Sequence, residues 1–175
     1  MRFVDATADD RYGLLFRLIL LRGLRRGEAC GLRWSDVEDD GRALTVNRTM
    51  HRDGTTGDPK TRSSQRTISL DAQTAEALRR HRRAQLQERM AAGPAWQDQD
   101  WIFCRSDGSH VPPLWLLKRF RELADEAGLP PIKLHEGRHT AITLGLEAGI
   151  DLKTMADQAG HSAPGPGGGR DPGGE

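Results

Sequence analysis

The chain has 175 residues, enough for one domain with a real core. Its 36% hydrophobic and 29% charged residues fit a soluble protein, and a net charge of +1 by itself points neither toward nucleic acid nor away from it. Two cysteines, Cys30 and Cys104, exclude a disulfide framework. The N-terminus MRFVDATADD has no apolar signal core, and the run Leu14–Leu21 is too short to cross a bilayer and is interrupted by Arg17, so a cytoplasmic protein with no membrane partner is expected.

In chain order, the first predicted element is a helix over residues 8–23, with Leu14, Leu15, Leu18, Ile19 and Leu21 on its apolar positions and Gly23 ending it. A second, short helix begins near Arg26, and Trp34-Ser35-Asp36-Val37 leads out of it. Ala43 to Met50 alternates and is rich in β-formers, so it reads as a strand. HRDGTTGDP (51–59) is loop, and TRSSQRTISL (61–70) reads as a strand that pairs back, giving a small antiparallel sheet with Lys60 near its turn. Asp71 is placed to cap a long helix to about Met90, because its carboxylate accepts from first-turn amides.

Residues 91–99 are loop, Trp101 to Cys104 a short apolar strand, and Ser106-Asp107-Gly108 a turn. Pro112 and Pro113 lead into a helix from Leu114 to Ala127, stopped by Gly128. An apolar-periodic helix is expected over 135–148, and Asp151 caps a short one toward Ala159. From Ala163, six of thirteen residues are glycine and three proline, a tail unable to bury enough apolar surface to order itself. The architecture is α+β, mainly α with a small sheet, in one domain over 1–162 followed by the 163–175 tail.

Charge is unevenly spread. Arg48, Arg52, Lys60, Arg62 and Arg66 face only Asp53 and Asp58 over residues 48–66, a pattern suited to following a phosphate backbone. The Arg79–Arg83 cluster reads equally well as a solvated helix face. Trp34, Trp101 and Trp115 read as packing residues rather than base-stacking platforms, Cys30 and Cys104 as buried thiols, and the single tyrosine, Tyr12, as a half-buried packing residue.

Residues 135–139, HEGRH, match H-E-x-x-H. On a helix, His135 and His139 share a face and would ligate zinc with Glu136 as general base. A zinc hydrolase needs a third ligand, however. Six residues after His139 stands Gly145, and such an enzyme gives no reason for Arg25, Lys60 or Arg138. Read instead as His-x-x-Arg, the segment puts His135 and Arg138 on one face, pairing a group that moves protons near neutral pH with a fork that holds two phosphate oxygens.

With that pair, GLRRGEACGLRWSDV (23–37), DPKTRSSQRTISL (58–70), LHEGRHT (134–140) and AGHS (159–162) stand in an order and spacing that resemble the catalytic domain of the tyrosine recombinase, or phage integrase, family. The resemblance covers nearly all of residues 10–162. It implies the DNA breaking-rejoining catalytic fold and site-specific breakage and rejoining of double-stranded DNA, by a homo-oligomer assembled on that DNA. It implies no metal or nucleotide cofactor, because arginines supply the electrostatics.

Residue by residue, the resemblance implies that Arg25 and Arg138 clamp the scissile phosphate. Lys60 protonates the leaving 5′ oxygen, His135 assists proton transfer at the nucleophile, and His161 donates to a phosphate oxygen. Arg26, Arg62 and Arg66 are expected DNA contacts, and Glu28 is expected to support the fold around Arg25.

The chain departs from the family pattern in three places. Gly137 and Ala159 stand where the resemblance places leucine, and glycine inside a helix costs about 1 kcal/mol. Where the resemblance places the nucleophilic tyrosine, the sequence reads Gly168-Gly169-Arg170-Asp171. Covalent catalysis needs the attacking group itself, so a cleavage-deficient chain is expected.

Overall fold

In the computed structural model, residues 2–38, 40–57, 65–129 and 134 are described. Lys60, Arg62, His135, Glu136, Arg138, His139 and His161 lie outside that set. So do the helix expected over 135–148, the one capped by Asp151 and the 163–175 tail.

Helix α1 (Arg2–Ala6) is followed by turns, and α2 (Gly13–Arg22) is the central helix. The helix predicted over 8–23 is therefore shortened to Gly13–Arg22, with turns over 7–12, and α1 lies before the predicted range. Asp10 is the reason: its carboxylate accepts from the Tyr12 amide at 2.8 Å and its carbonyl from Gly13 N at 2.9 Å, local bonds that hold a turn open where a helix would otherwise run. Nearly all of α2 is buried, and each of Leu15, Phe16 and Leu18, fully shielded from water, contributes about 2 kcal/mol. Phe16 meets Phe3 edge-on at 5.7 Å and Phe120 at 5.5 Å, tying α1 and α2 to α5 (Pro113–Glu126).

Gly23 closes α2 in the left-handed conformation (φ 67°), which glycine adopts without a Cβ penalty. Helix α3 (Arg26–Cys30) follows at once. Gly27 and Gly31, on one face of that turn of chain, let the backbone of Met50 approach. A Cβ on Gly27 would lie 2.8 Å from the Met50 carbonyl oxygen, and one on Gly31 would lie 3.2 Å from Met50 N. A single 3-10 turn, Trp34–Asp36, leads to the sheet.

The expected strand 43–50 is broken in two. Strand β1 (Ala43–Val46) pairs antiparallel with β4 (Arg66–Ser69), and β2 (Thr49–Met50) pairs with β3 (Thr56–Gly57). Asn47 and Arg48 interrupt the strand because their side chains turn to the buried Asp36: Asn47 Nδ2 donates to Oδ1 at 3.0 Å, and Arg48 forms an ion pair with Oδ2. In β4 the pleat alternates, with Arg66 and Ile68 buried and Thr67 and Ser69 exposed.

Helix α4 (Ala72–Ala92) begins as predicted at Asp71, whose Oδ1 accepts from Thr74 N and whose Oδ2 accepts from Thr74 Oγ1, both at 2.8 Å. Only Thr74, Ala75 and Leu78 of this helix are buried. Polar contacts fasten the rest: Arg11 forks onto Glu88 at 2.5 and 2.7 Å, His81 Nε2 lies 2.7 Å from the Ile102 carbonyl, and Gln85 donates to the carbonyls of Trp101 and Ile102 at 3.0 Å. These bonds also explain why residues 101–104 form no strand. The Trp101 and Ile102 carbonyls are engaged by α4 side chains and that of Cys104 by Arg11, leaving single bridges from Trp101 to Arg33 and from Cys104 to His110. Both cysteines are buried free thiols, and burial pushes Cys30 up to about 12.

The result is a mainly α protein, as the sequence implied, with the small antiparallel sheet present as two two-stranded ones. Among the described residues no helix is long and apolar enough to cross a membrane.

Two expectations follow from this packing. Gly27→Ala forces α3 off β2 and lowers stability by about 2 kcal/mol in urea titrations, since the contact is backbone and cannot yield. Asp71→Ala costs about 1 kcal/mol for the lost cap. Burial pushes the Asp71 carboxyl up, but the Thr74 bonds and then Arg22 and Arg17 outweigh it and hold the group at about 2, against an ordinary 3.8. Its contribution is therefore complete above pH 3.8 and lost as pH falls through about 2, so the two proteins' unfolding midpoints converge there.

Candidate functional site

Arg25 is the residue from which α3 springs. Leu24, 1% exposed, anchors the chain, and Arg25 is extended (φ −71°, ψ 148°) as the N-terminal cap. Arginine has no acceptor to cap with. The reverse arrangement holds instead: Glu28, three residues on, takes the Arg25 amide on Oε2 at 2.8 Å. The same carboxylate takes Arg25 Nη1 on Oε1 at 2.8 Å. The side chain of Arg25 nonetheless keeps 41% exposure, so its guanidinium is oriented and still accessible.

Glu28 is 1% exposed, and an isolated carboxylate there would be costly. Its second partner is Arg66, whose Nη2 donates to Oε2 at 2.8 Å and whose Nη1 donates to Oε1 at 3.2 Å. Burial raises the Glu28 carboxyl, but the Arg66 hydrogen bonds and charge, and then Arg25, more than offset it and hold it below the ordinary glutamate value. Arg66, expected to face DNA, is thus placed elsewhere: its side chain is 6% exposed and its fork is spent on a buried carboxylate. A signal for this was present in the sequence. Arg66 has the same parity as Ile68 and Leu70, the inward positions of RTISL.

The rest of the basic run divides in the same way. Arg48 is committed to Asp36 and to the Gly31 carbonyl at 3.2 Å, and Arg52 is exposed. Arg26 is half-buried at the first position of α3. On α4, Arg79 and Arg83 pair with Glu76, and Arg82 stacks over Trp34 at 5.1 Å, the solvated-face reading of that cluster. The Trp34 indole donates to Gln85 at 2.6 Å and that of Trp101 to Gln99 at 2.9 Å, so both are packing residues. Tyr12 is more buried than expected, at 7%, packed edge-on against Trp115 at 5.1 Å, and burial raises its phenol. Of the predicted phosphate-handling set, the described residues contain Arg25; the partners Lys60, His135, Arg138 and His161 lie outside them.

Comparison with known proteins bears on the family and the fold. A family model described as the phage integrase family matches residues 1–165. A "Tyrosine recombinase XerC-like" protein of Caldanaerobacter subterraneus subsp. tengcongensis is 32% identical over 174 residues, covering 90% of this chain and 44% of the relative. An "Integrase" of Saccharopolyspora erythraea is 23% identical, covering 91% of this chain and 49% of the relative. The chain therefore spans less than half the length of these relatives. Among solved structures, XerA recombinase superposes with a TM-score of 0.75 at 21% identity, over 93% of this chain and 53% of that one. The Tn1549 transposon integrase in complex with a circular intermediate DNA gives 0.76 at 24%, over 92% of this chain and 55% of that one. The fold is that of their catalytic domains.

Glu28→Gln leaves the Arg66 charge buried without a counter-charge and is expected to cost about 3–5 kcal/mol at neutral pH by urea unfolding. Because the folded carboxyl is depressed, its contribution is complete above the ordinary value of 4.5 and is lost as pH falls through the folded one. The stability gap between wild type and variant accordingly narrows in acid below pH 4.5; a gap that stays constant there contradicts the ion pair.

Proposed function

The chain belongs to the phage integrase family, and on that premise we propose that it serves site-specific recombination of double-stranded DNA, with Arg25 holding a backbone phosphate. The observation that carries the reading is Arg25 itself: an accessible guanidinium fixed at the start of α3 by a buried carboxylate. A guanidinium so held meets the growing charge of a phosphoryl transition state without first reorganising. In this reading Arg138 is the second clamp, Lys60 protonates the leaving 5′ oxygen, His135 handles the proton at the nucleophile, and His161 donates to a phosphate oxygen. Arg26 and Arg62 contact the DNA backbone, and no metal or nucleotide cofactor takes part. The chain acts as a homo-oligomer on DNA; lambda integrase, a structural neighbour, is a tetramer bound to a Holliday junction.

One observation favours binding without cleavage by these 175 residues. Their only tyrosine, Tyr12, is packed in the core with its hydroxyl 3.5 Å from the Cys104 carbonyl. The covalent step needs a tyrosine oxygen at the phosphorus and a displaced 5′ hydroxyl, and no other group here supplies that oxygen.

Binding to a fluorescent mixed-sequence duplex is expected to weaken linearly in log affinity against log salt, and Arg25→Ala to reduce that slope by about one. A nicked suicide duplex is expected to give no covalent adduct on a denaturing gel. A phosphotyrosyl adduct would overturn the cleavage-deficient reading, and an unchanged slope in Arg25→Ala would overturn the phosphate clamp.

A further inference from the structure

The Glu28 carboxylate is not simply a partner of Arg25. Oε2 accepts both the Arg25 amide and Arg66 Nη2, each at 2.8 Å. Oε1 accepts both Arg25 Nη1 at 2.8 Å and Arg66 Nη1 at 3.2 Å. Each oxygen is therefore shared between an accessible arginine on the α3 terminus and a buried one on β4. Arg66 cannot shift without carrying the carboxylate with it, because it sits opposite Val46 in the β1–β4 ladder, beside fully buried Ile68. A planar fork fixes a carboxylate in rotation as well as in position, which a point charge does not.

We infer that Arg66 is a positioning residue for Arg25: through Glu28, the β1–β4 sheet sets the orientation of the guanidinium that meets the DNA phosphate. This rests on Arg25 contacting phosphate, as proposed above. The coupling is directional in chemistry: Arg66 is 6% exposed and acts through Glu28, so its fork decides whether Arg25 arrives pre-oriented or must be ordered on binding, at an entropic cost. Lysine at position 66 keeps the counter-charge that the buried Glu28 requires and loses the fork, so Arg66→Lys separates orientation from charge.

The test is a double-mutant cycle on duplex binding by fluorescence anisotropy, with thermal unfolding followed in parallel. Arg25→Ala is expected to weaken binding roughly tenfold. Arg66→Lys is expected to weaken it roughly fivefold in the wild-type background and by less than about twofold once Arg25 is alanine. A purely structural role for Arg66 would weaken binding equally in both backgrounds, and that result overturns the inference, as does an Arg66→Lys protein that binds like wild type. If Arg25→Ala has no effect, the phosphate-clamp reading fails instead. An independent measurement needs no variant at position 66: nuclear magnetic relaxation of the Arg25 Nε–Hε group in the free protein, assigned by its loss in Arg25→Lys. An order parameter near the rigid-backbone value of about 0.85 is expected, and one below about 0.6 overturns the inference whether or not Arg66→Lys folds.

Discussion

A carboxylate with almost no water around it, shared between two arginines, is the constraint on which the rest of this structure turns. Glu28 is 1% exposed, and no charge is buried that deeply without compensation. Compensation comes from two directions: Arg25 at the start of its own helix, and Arg66 on a strand 38 residues further along the chain. Removing Glu28 or Arg66 breaks the buried pair and leaves a charge in low dielectric, whereas removing the half-exposed Arg25 leaves Glu28 still neutralised by Arg66. The arrangement is thus a junction between helix and sheet as well as a charge pair.

The surrounding elements make that junction rigid. Helix α2 is buried on nearly every side and ends sharply at Gly23, which sends Leu24 into the core and leaves Arg25 at the boundary with solvent. Helix α3 can lie against β2 only because Gly27 and Gly31 present no side chains to the Met50 backbone. A second buried acid, Asp36, repeats the theme a few residues on, taking the Arg33 amide at 2.8 Å, the Asn47 amide group and the Arg48 guanidinium. Two buried carboxylates thereby lock the segment from Arg25 to Asp36 onto the hairpins. A charge held in place in this way needs no reorganisation when it meets a partner of opposite charge.

Several features were legible along the chain. Asp71 heads α4 because a cap needs only a local acceptor, and Gly128 (φ 61°) ends α5 for an equally local reason. Cys30, Cys104, Trp34 and Trp101 are packed as their apolar neighbourhoods suggested. The misreadings share a different cause. The helix predicted over 8–23 starts only at Gly13 because of the Asp10 turn, the strand over 43–50 is split by the pull of Asp36 on Asn47 and Arg48, and the strand over 101–104 is unmade by Gln85 and His81 reaching across from α4. In the last two cases the deciding partner is remote in sequence, which no window of local periodicity contains.

By itself the sequence determined the family, because four short motifs in order are a linear signal that needs no folding to be read. Tertiary structure alone decided what each arginine does. Arg25, Arg48 and Arg66 are the same residue type in similarly basic surroundings, yet one keeps 41% of its side chain in water while the others are 21% and 6% exposed against buried acids. Charge can be counted from composition, but its function follows from which charges lose their water on folding and which buried partner then requires them.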